Sequence, residues 1–282
     1  MKARSRYVTL LDREVHYMEW GAPDAPPLIL WHGLARTGRD FDDLADALCD
    51  RFHIFAPDTI GRGLSQWSPA PETEYCYDFY ARLATAFLDH HGLTSVDWVG
   101  TSMGGAIAIR AGAGPLRGGI RKLVLNDMGP KIADAAVARI RSYAGAPPRF
   151  DRVSELEAYF RTIYKPYGWL SDAQWRRMAE TSARRLPDGG VTPHYDPNMV
   201  MQFTHHDNDN AQWPQFLALD CDILCLRGEA SDLLLAGDAA EMAARHPRCE
   251  VVTISGCGHA PALNTPDQIG LVANFLGAGT AR

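Results

Sequence analysis

The chain has 282 residues, 46% hydrophobic and 22% charged, which supplies enough apolar side chain for one substantial core and argues against disorder. A formal net charge of −6 with no Lys/Arg cluster argues against the counterion-releasing surface that nucleic acid or an anionic membrane demands, so the expected partner is a small-molecule substrate. No run reaches the roughly 18 apolar residues of a membrane span, and the basic residues 1–7 lead into Asp12, Arg13 and Glu14, not into a signal-peptide core, so a cytoplasmic protein is expected.

Residues 7–11 and 15–20 are strand-like runs around the turn-prone Asp12-Arg13-Glu14, which predicts an opening antiparallel hairpin. After a proline-rich loop, residues 28–31 form a continuous apolar run of the kind buried on both faces of a parallel sheet, and it ends on His32-Gly33. Phe41, Leu44, Ala45 and Leu48 recur at helical spacing. Residues 52–56 return as a strand, followed by the polar, glycine-marked turn from Asp58 to Ser65, where both named residues have a structural use as turn formers. An amphipathic helix is expected over 77–88.

The apolar run 96–99 then delivers Gly100-Thr101-Ser102-Met103-Gly104. A serine at a sharp strand-to-helix turn is held proud of the sheet in a strained backbone, and a Cβ two residues to either side would collide across the turn. Gly100 and Gly104 therefore support the turn, and Ser102 is the candidate nucleophile. Small residues over 105–113 let the following helix lie close to the strands, and 123–127 is the next strand, ending at Asp127.

After Asp127 the strand rhythm breaks. The next convincing strand begins at Ile223, over 90 residues on, whereas a parallel crossover needs only about a dozen residues. Residues 129–210 are accordingly expected to be a helical cap inserted into a core made of 1–128 and 211–282. Helix-like stretches at 133–143, 154–164 and 171–183 are separated by Gly145-Ala146-Pro147-Pro148, Pro166-Tyr167-Gly168 and Pro187-Asp188-Gly189-Gly190. The aromatics Tyr143, Phe160, Tyr164, Trp169 and Trp175 should fill the cap's own core, with Tyr143 and Trp169 the candidates for roofing a pocket. A helix near 213–219, the strand at 223, a helix over 233–245, a strand over 250–254 and a last helix over 266–276 complete the alternation. The expected fold is α/β, a mostly parallel sheet of about eight strands flanked by helices, with the site beyond the strands' carboxyl ends.

A serine nucleophile requires a base within hydrogen-bond reach and a third group to orient that base. His259, in the glycine-bounded loop after the last core strand, is placed to meet Ser102. Asp127, Asp222, Glu229 and Asp232 are the candidate acids. Asp222 precedes its strand and lies at the wrong edge, whereas Asp127 ends a strand and stays open. Asp232 is the expected acid, because its loop is long enough to reach the far side of the imidazole and it falls between serine and histidine in the chain. Cys221-x-x-x-Cys225 and His205-His206-Asp207 lack the ligand spacing of a metal site, so no metal is expected, and the cysteines should be free, mostly buried thiols.

Together these stretches resemble the α/β-hydrolase superfamily over nearly the whole chain. Gly100-Thr101-Ser102-Met103-Gly104 is similar to its nucleophile elbow, His32-Gly33-Leu34 to its oxyanion loop, Asp58 to Ser65 to its Asp-x-x-Gly-x-Gly-x-Ser turn, and Ser231-Asp232 and Gly258-His259 to its acid and histidine loops. In the insert, Tyr195-Asp196-Pro197 alone looks similar. The resemblance implies that the backbone N–H groups of Leu34 and Met103 bind an oxyanion, supported by His32 and Gly33, and that no cofactor is needed. It implies a serine hydrolase acting on a carboxylic ester, lactone or thioester of a small to medium, largely apolar substrate. Carbon–carbon bond hydrolysis of a diketone-like compound, a cofactor-free haloperoxidase and a triad-bearing ligand receptor are the alternatives, whereas a serine at the elbow sets the chain apart from relatives with an aspartate there.

Overall fold

The computed structural model describes residues 3–277. Its strands are β1 (Arg4–Leu10), β2 (Arg13–Trp20), β3 (Pro27–Trp31), β4 (His53–Pro57), β5 (Val96–Thr101), β6 (Ile120–Asn126), β7 (Ala183–Arg185), β8 (Val191–Pro193), β9 (Asp222–Gly228) and β10 (Cys249–Ile254). Eight of them form one sheet in the order β1-β2-β4-β3-β5-β6-β9-β10. The β1-β2 and β2-β4 pairs are antiparallel and the remaining pairs are parallel. β5 therefore lies centrally, between β3 and β6, and the three loops leaving β3, β5 and β6 meet at one sheet edge.

The opening hairpin has a two-residue turn, Leu11 and Asp12, with φ of 49° and 60°. Two positive φ values in succession give the turn type whose twist matches that of the strands. The central strands are apolar on both faces because helices cover both. Ile29, Phe55, Trp98 and Leu123 pack under α3 (Tyr77–His90) and α4 (Met103–Ala113), while Leu28, Ile54, Val99 and Val124 pack against α1 (Asp42–Leu48) and, at the end of the chain, Pro266–Leu276. Of the remaining core helices, α2 (Pro71–Glu74) is a single turn.

Between β6 and β9 the chain leaves the sheet through α5 (Asp134–Ala144), α6 (Val153–Ile163), α7 (Asp172–Thr181), the β7-β8 hairpin and α8 (Met201–Thr204). It returns through α9 (Trp213–Leu217), and α10 (Ala236–Arg245) and α11 (Pro266–Leu276) follow β9 and β10. Phe160 and Trp175 are in a separate small core with Leu156, Met178 and Val191. The periodicity over 171–183 stops earlier than the sequence pattern suggests. Ser182 ends α7, and 183–185 pairs with 191–193 around the Pro187-Gly190 turn. Asp43 on α1 accepts from Gln174 (2.9 Å) and Arg177 (2.5 Å) on α7, so the excursion is tied to the core by charged hydrogen bonds. None of the six cysteines is in a disulfide, and five are buried.

Candidate active site

β5 ends at Thr101, and Ser102 adopts φ 51° and ψ −117° before α4 begins at Met103. That conformation is costly for a residue with a Cβ, and close neighbours hold it. A Cβ on Gly100 would stand 2.5 Å from backbone atoms of Gly104 and Gly105, and one on Gly104 would stand 2.6 Å from the Trp31 carbonyl carbon. The turn can close this tightly only with glycine at both positions. A Cβ on Gly33 would lie 3.6 Å from that of Ser102, which sets the loop after β3 directly beside the serine.

The Ser102 hydroxyl lies 2.9 Å from His259 Nε2, and His259 Nδ1 lies 2.7 Å from Asp127 Oδ2. Because a carboxylate can only accept, Nδ1 carries the imidazole proton and Nε2 is left to accept from the serine. The His259 loop is pinned on two sides. Asn126 Nδ2 donates to the Pro261 carbonyl (2.8 Å), and Gly258 N–H donates to the carbonyl of Pro166 in the excursion (2.7 Å).

The histidine's partner is Asp127 and not Asp232, which corrects the expectation from the sequence. Asp127 is fully buried and follows β6, the strand next to β5, with φ 54°. The loop after β9 reaches the site through its serine: Ser231 Oγ donates to Asp127 Oδ2 (2.5 Å), and Gly228 N–H donates to Asp127 Oδ1 (2.8 Å). Asp232, one residue on, points away and pairs with Arg139 at 2.8 Å, its side chain 55% exposed. A one-residue alternation along the loop thus puts the hydroxyl inside and the carboxylate outside.

His32 is fully buried, and burial lowers its pKa to about 4. Its Nε2 accepts from Thr59 N–H (2.9 Å), so Nδ1 donates to the Gly33 carbonyl (2.6 Å), and the neutral ring fixes the loop that carries Leu34. Arg62 escaped the sequence reading. It is fully buried, donates from Nε to the Leu34 carbonyl (2.9 Å) and approaches Met103 Sδ at 3.7 Å, and so touches both residues whose N–H groups were expected to bind an oxyanion. The Gly61 carbonyl beside it accepts from Asp196 N–H (2.7 Å), and Tyr75, whose ring packs under the Arg62 guanidinium, donates to Asp196 Oδ2 (2.6 Å). Asp58 and Ser65 serve the same turn: Asp58 accepts from His16 Nδ1 (2.7 Å) and Gly38 N–H (2.8 Å), and Ser65 donates to the Asp58 carbonyl (2.6 Å).

A cavity of about 370 Å³ opens over Ser102 and His259. Leu34, Ala35, Ile140 and Ile163 give it apolar walls, and Tyr143, Tyr159, Tyr164 and Tyr167 add phenols. Tyr143 therefore lines the space over the serine. Trp169 does not: it is 69% exposed, turned outward after Gly168 (φ 93°) with its carbonyl accepting from Asn264, which corrects its place among the pocket candidates. Among the described residues no group of three His, Cys, Asp or Glu side chains could hold a metal ion, and the side chain of Asp207 lies outside the described residues. No helix among them is long and apolar enough to cross a membrane.

Two buried histidines give the fold a pH dependence. Burial lowers His194 as well, to about 4, and its Nδ1 accepts from Gly63 N–H (2.7 Å). A histidine held below its unfolded value of about 6.5 binds fewer protons folded than unfolded. Its stabilisation is therefore complete above about pH 6.5 and is lost as the pH falls toward 4, on the order of 3 kcal/mol for each ring. The Tm should fall by on the order of 10 °C between pH 7 and 4.5. His194→Asn, which keeps an acceptor near Nδ1 without a titrating ring, should fall less. Equal slopes for the two proteins would mean that His194 is not held neutral.

The model of the Alpha/beta hydrolase family matches residues 28–269. The chain is 39% identical over 272 residues to the 3-hydroxybutyrate-oligomer hydrolase of Cupriavidus necator, covering 92% of each chain. It is 26% identical to the 2-(acetamidomethylene)succinate hydrolase of Mesorhizobium japonicum, over 90% of this chain and 88% of that one. A crystal structure of an alpha/beta hydrolase from Novosphingobium aromaticivorans superposes with a TM-score of 0.85 at 31% identity, covering 98% of both chains.

Proposed function

The chain belongs to the alpha/beta hydrolase family, and from that membership we propose that it is a serine hydrolase that cleaves a carboxylic ester through an acyl-enzyme. The observation that carries this reading is the unbroken relay from Ser102 Oγ through His259 to the buried carboxylate of Asp127. In the first half-reaction Ser102 attacks the ester carbonyl as His259 Nε2 takes the hydroxyl proton, and Asp127 stabilises the imidazolium that results. The oxyanion is received by the N–H groups of Leu34 and Met103, held in place by His32 and Arg62. His259 then gives its proton to the departing alkoxide. In the second half-reaction it takes a proton from water, which attacks the acyl-enzyme and regenerates Ser102. Every proton moves between side chains, substrate and water, so the scheme calls for no cofactor.

Residues 129–210 act as a cap in this reading. Supporting this, α5 and α6 contribute Ile140, Tyr143, Tyr159 and Ile163 to the cavity wall. The 39% identity to a 3-hydroxybutyrate-oligomer hydrolase supports, as substrate, a short oligoester of a hydroxy acid. Such a chain alternates apolar carbons with ester oxygens, matching aliphatic walls set with phenols. The purified protein should release the monomer from the 3-hydroxybutyrate dimer and trimer and should saturate with each. Absence of turnover on these and on a panel of simple esters would contradict the assignment.

A further inference from the structure

Among the described residues, the cavity over Ser102 has a half-exposed cation with donors to spare. Arg139 lines it together with Tyr143, one turn further along α5. Its Nη2 reaches both oxygens of Asp232, at 2.8 and 3.1 Å. Among the described residues its Nε and Nη1 have no hydrogen-bond or ion-pair partner. A guanidinium offers five N–H donors in a rigid plane, so an acid bound at one nitrogen sets the plane and leaves the other donors open to a second acid. The pair is also poorly explained as a stabilising device. Its two side chains are about half exposed, where an ion pair contributes little.

The second arginine at the cavity is held by its own ion pair, and its one unpartnered nitrogen, Nη1, is buried. Arg36 binds Asp40 through Nε (2.8 Å) and Nη2 (2.6 Å), and its guanidinium is stacked on Phe160 and Tyr164 with its side chain 2% exposed. Arg36 is sealed into the wall, whereas Arg139, with its side chain 47% exposed, presents two unused nitrogens to an incoming molecule. The same cavity carries the aliphatic side chains of Ile140, Ile163 and Leu34, suited to a short carbon chain.

We infer that Arg139 binds a free carboxylate of the substrate: the molecule cleaved at Ser102 is an ester that also carries a carboxylate, which takes the open donors of Arg139 while Asp232 orients the guanidinium from outside. This inference rests on the serine hydrolase reading above. It makes the distance from the carboxylate to the scissile ester the quantity the enzyme measures, so cleavage is counted from the acid end of the chain. It also gives Asp232 a task at the site, as a positioning residue for Arg139.

The test compares the 3-hydroxybutyrate dimer with its primary carboxamide, which has the same length and one ester but no charge. The unmutated enzyme should prefer the acid in kcat/KM. Arg139→Gln should lower the acid-to-amide ratio by about 10- to 100-fold, the range of a hydrogen bond to a charged group. The change should fall in KM for the acid more than in kcat, because the carboxylate takes no part in bond cleavage. A ratio that Arg139→Gln leaves unmoved while the unmutated enzyme cleaves both compounds overturns this inference alone. An unmutated enzyme that cleaves neither compound, nor any simple ester, overturns the inference and the reading it rests on.

Discussion

Asp127→Asn lowers kcat/KM about 10⁴-fold, and Asp232→Asn lowers it by less than about tenfold. Asparagine keeps the size of the side chain and an oxygen to accept from Gly228 or Ser231, so the site can be rebuilt sterically. What it loses is the pure acceptor facing His259 Nδ1, 2.7 Å away. An amide at that place lets the ring settle with its proton on Nε2, the nitrogen that must accept from Ser102, and no charge remains to stabilise the imidazolium. Asp232→Asn weakens the half-exposed contact that positions Arg139 and leaves the proton relay intact. Circular dichroism on both variants separates chemistry from unfolding. A crippled Asp232→Asn beside an active Asp127→Asn would reverse the assignment.

In the sequence Asp127 and Asp232 look alike. Each follows a strand, and each lies between Ser102 and His259 in the chain. Neighbourhood decides between them. β6 adjoins β5, whereas β9 is one strand further out, and that order is a property of the sheet that no local pattern carries. The loop after β9 does reach the site, but by Ser231, so reading the loop was right in place and wrong by one residue. Arg62 had no signal at all. Its role depends on the Leu34 carbonyl and the Met103 sulfur converging from two other loops.

The elements that were legible are those in which local chemistry and tertiary setting agree. β5 and the glycine turn after it announce themselves through an apolar run and two positions where a Cβ collides. The last helix, from Pro266 to Leu276, has proline in its first turn, Thr265 as its cap and Gly277 in the left-handed conformation behind it. The β7-β8 hairpin was missed because strands of three residues are too short to show a period. Trp169 was misplaced for a related reason: a tryptophan's size suggests burial, and only the turn at Gly168 reveals that it faces out.

Ser102→Ala has the largest effect, a loss of about 10⁴- to 10⁶-fold in kcat that leaves only what the oxyanion donors and binding supply. The fold should survive, since alanine removes a hydroxyl whose hydrogen bond is to His259 and adds nothing to the tight turn. Because a rate loss alone does not identify a nucleophile, the deciding measurement is peptide mass spectrometry after treatment with a fluorophosphonate. The relay places the adduct on Ser102, with labelling slowed in Asp127→Asn and absent in Ser102→Ala. An adduct on any other residue, with Ser102 unmodified, would contradict the mechanism at its first step.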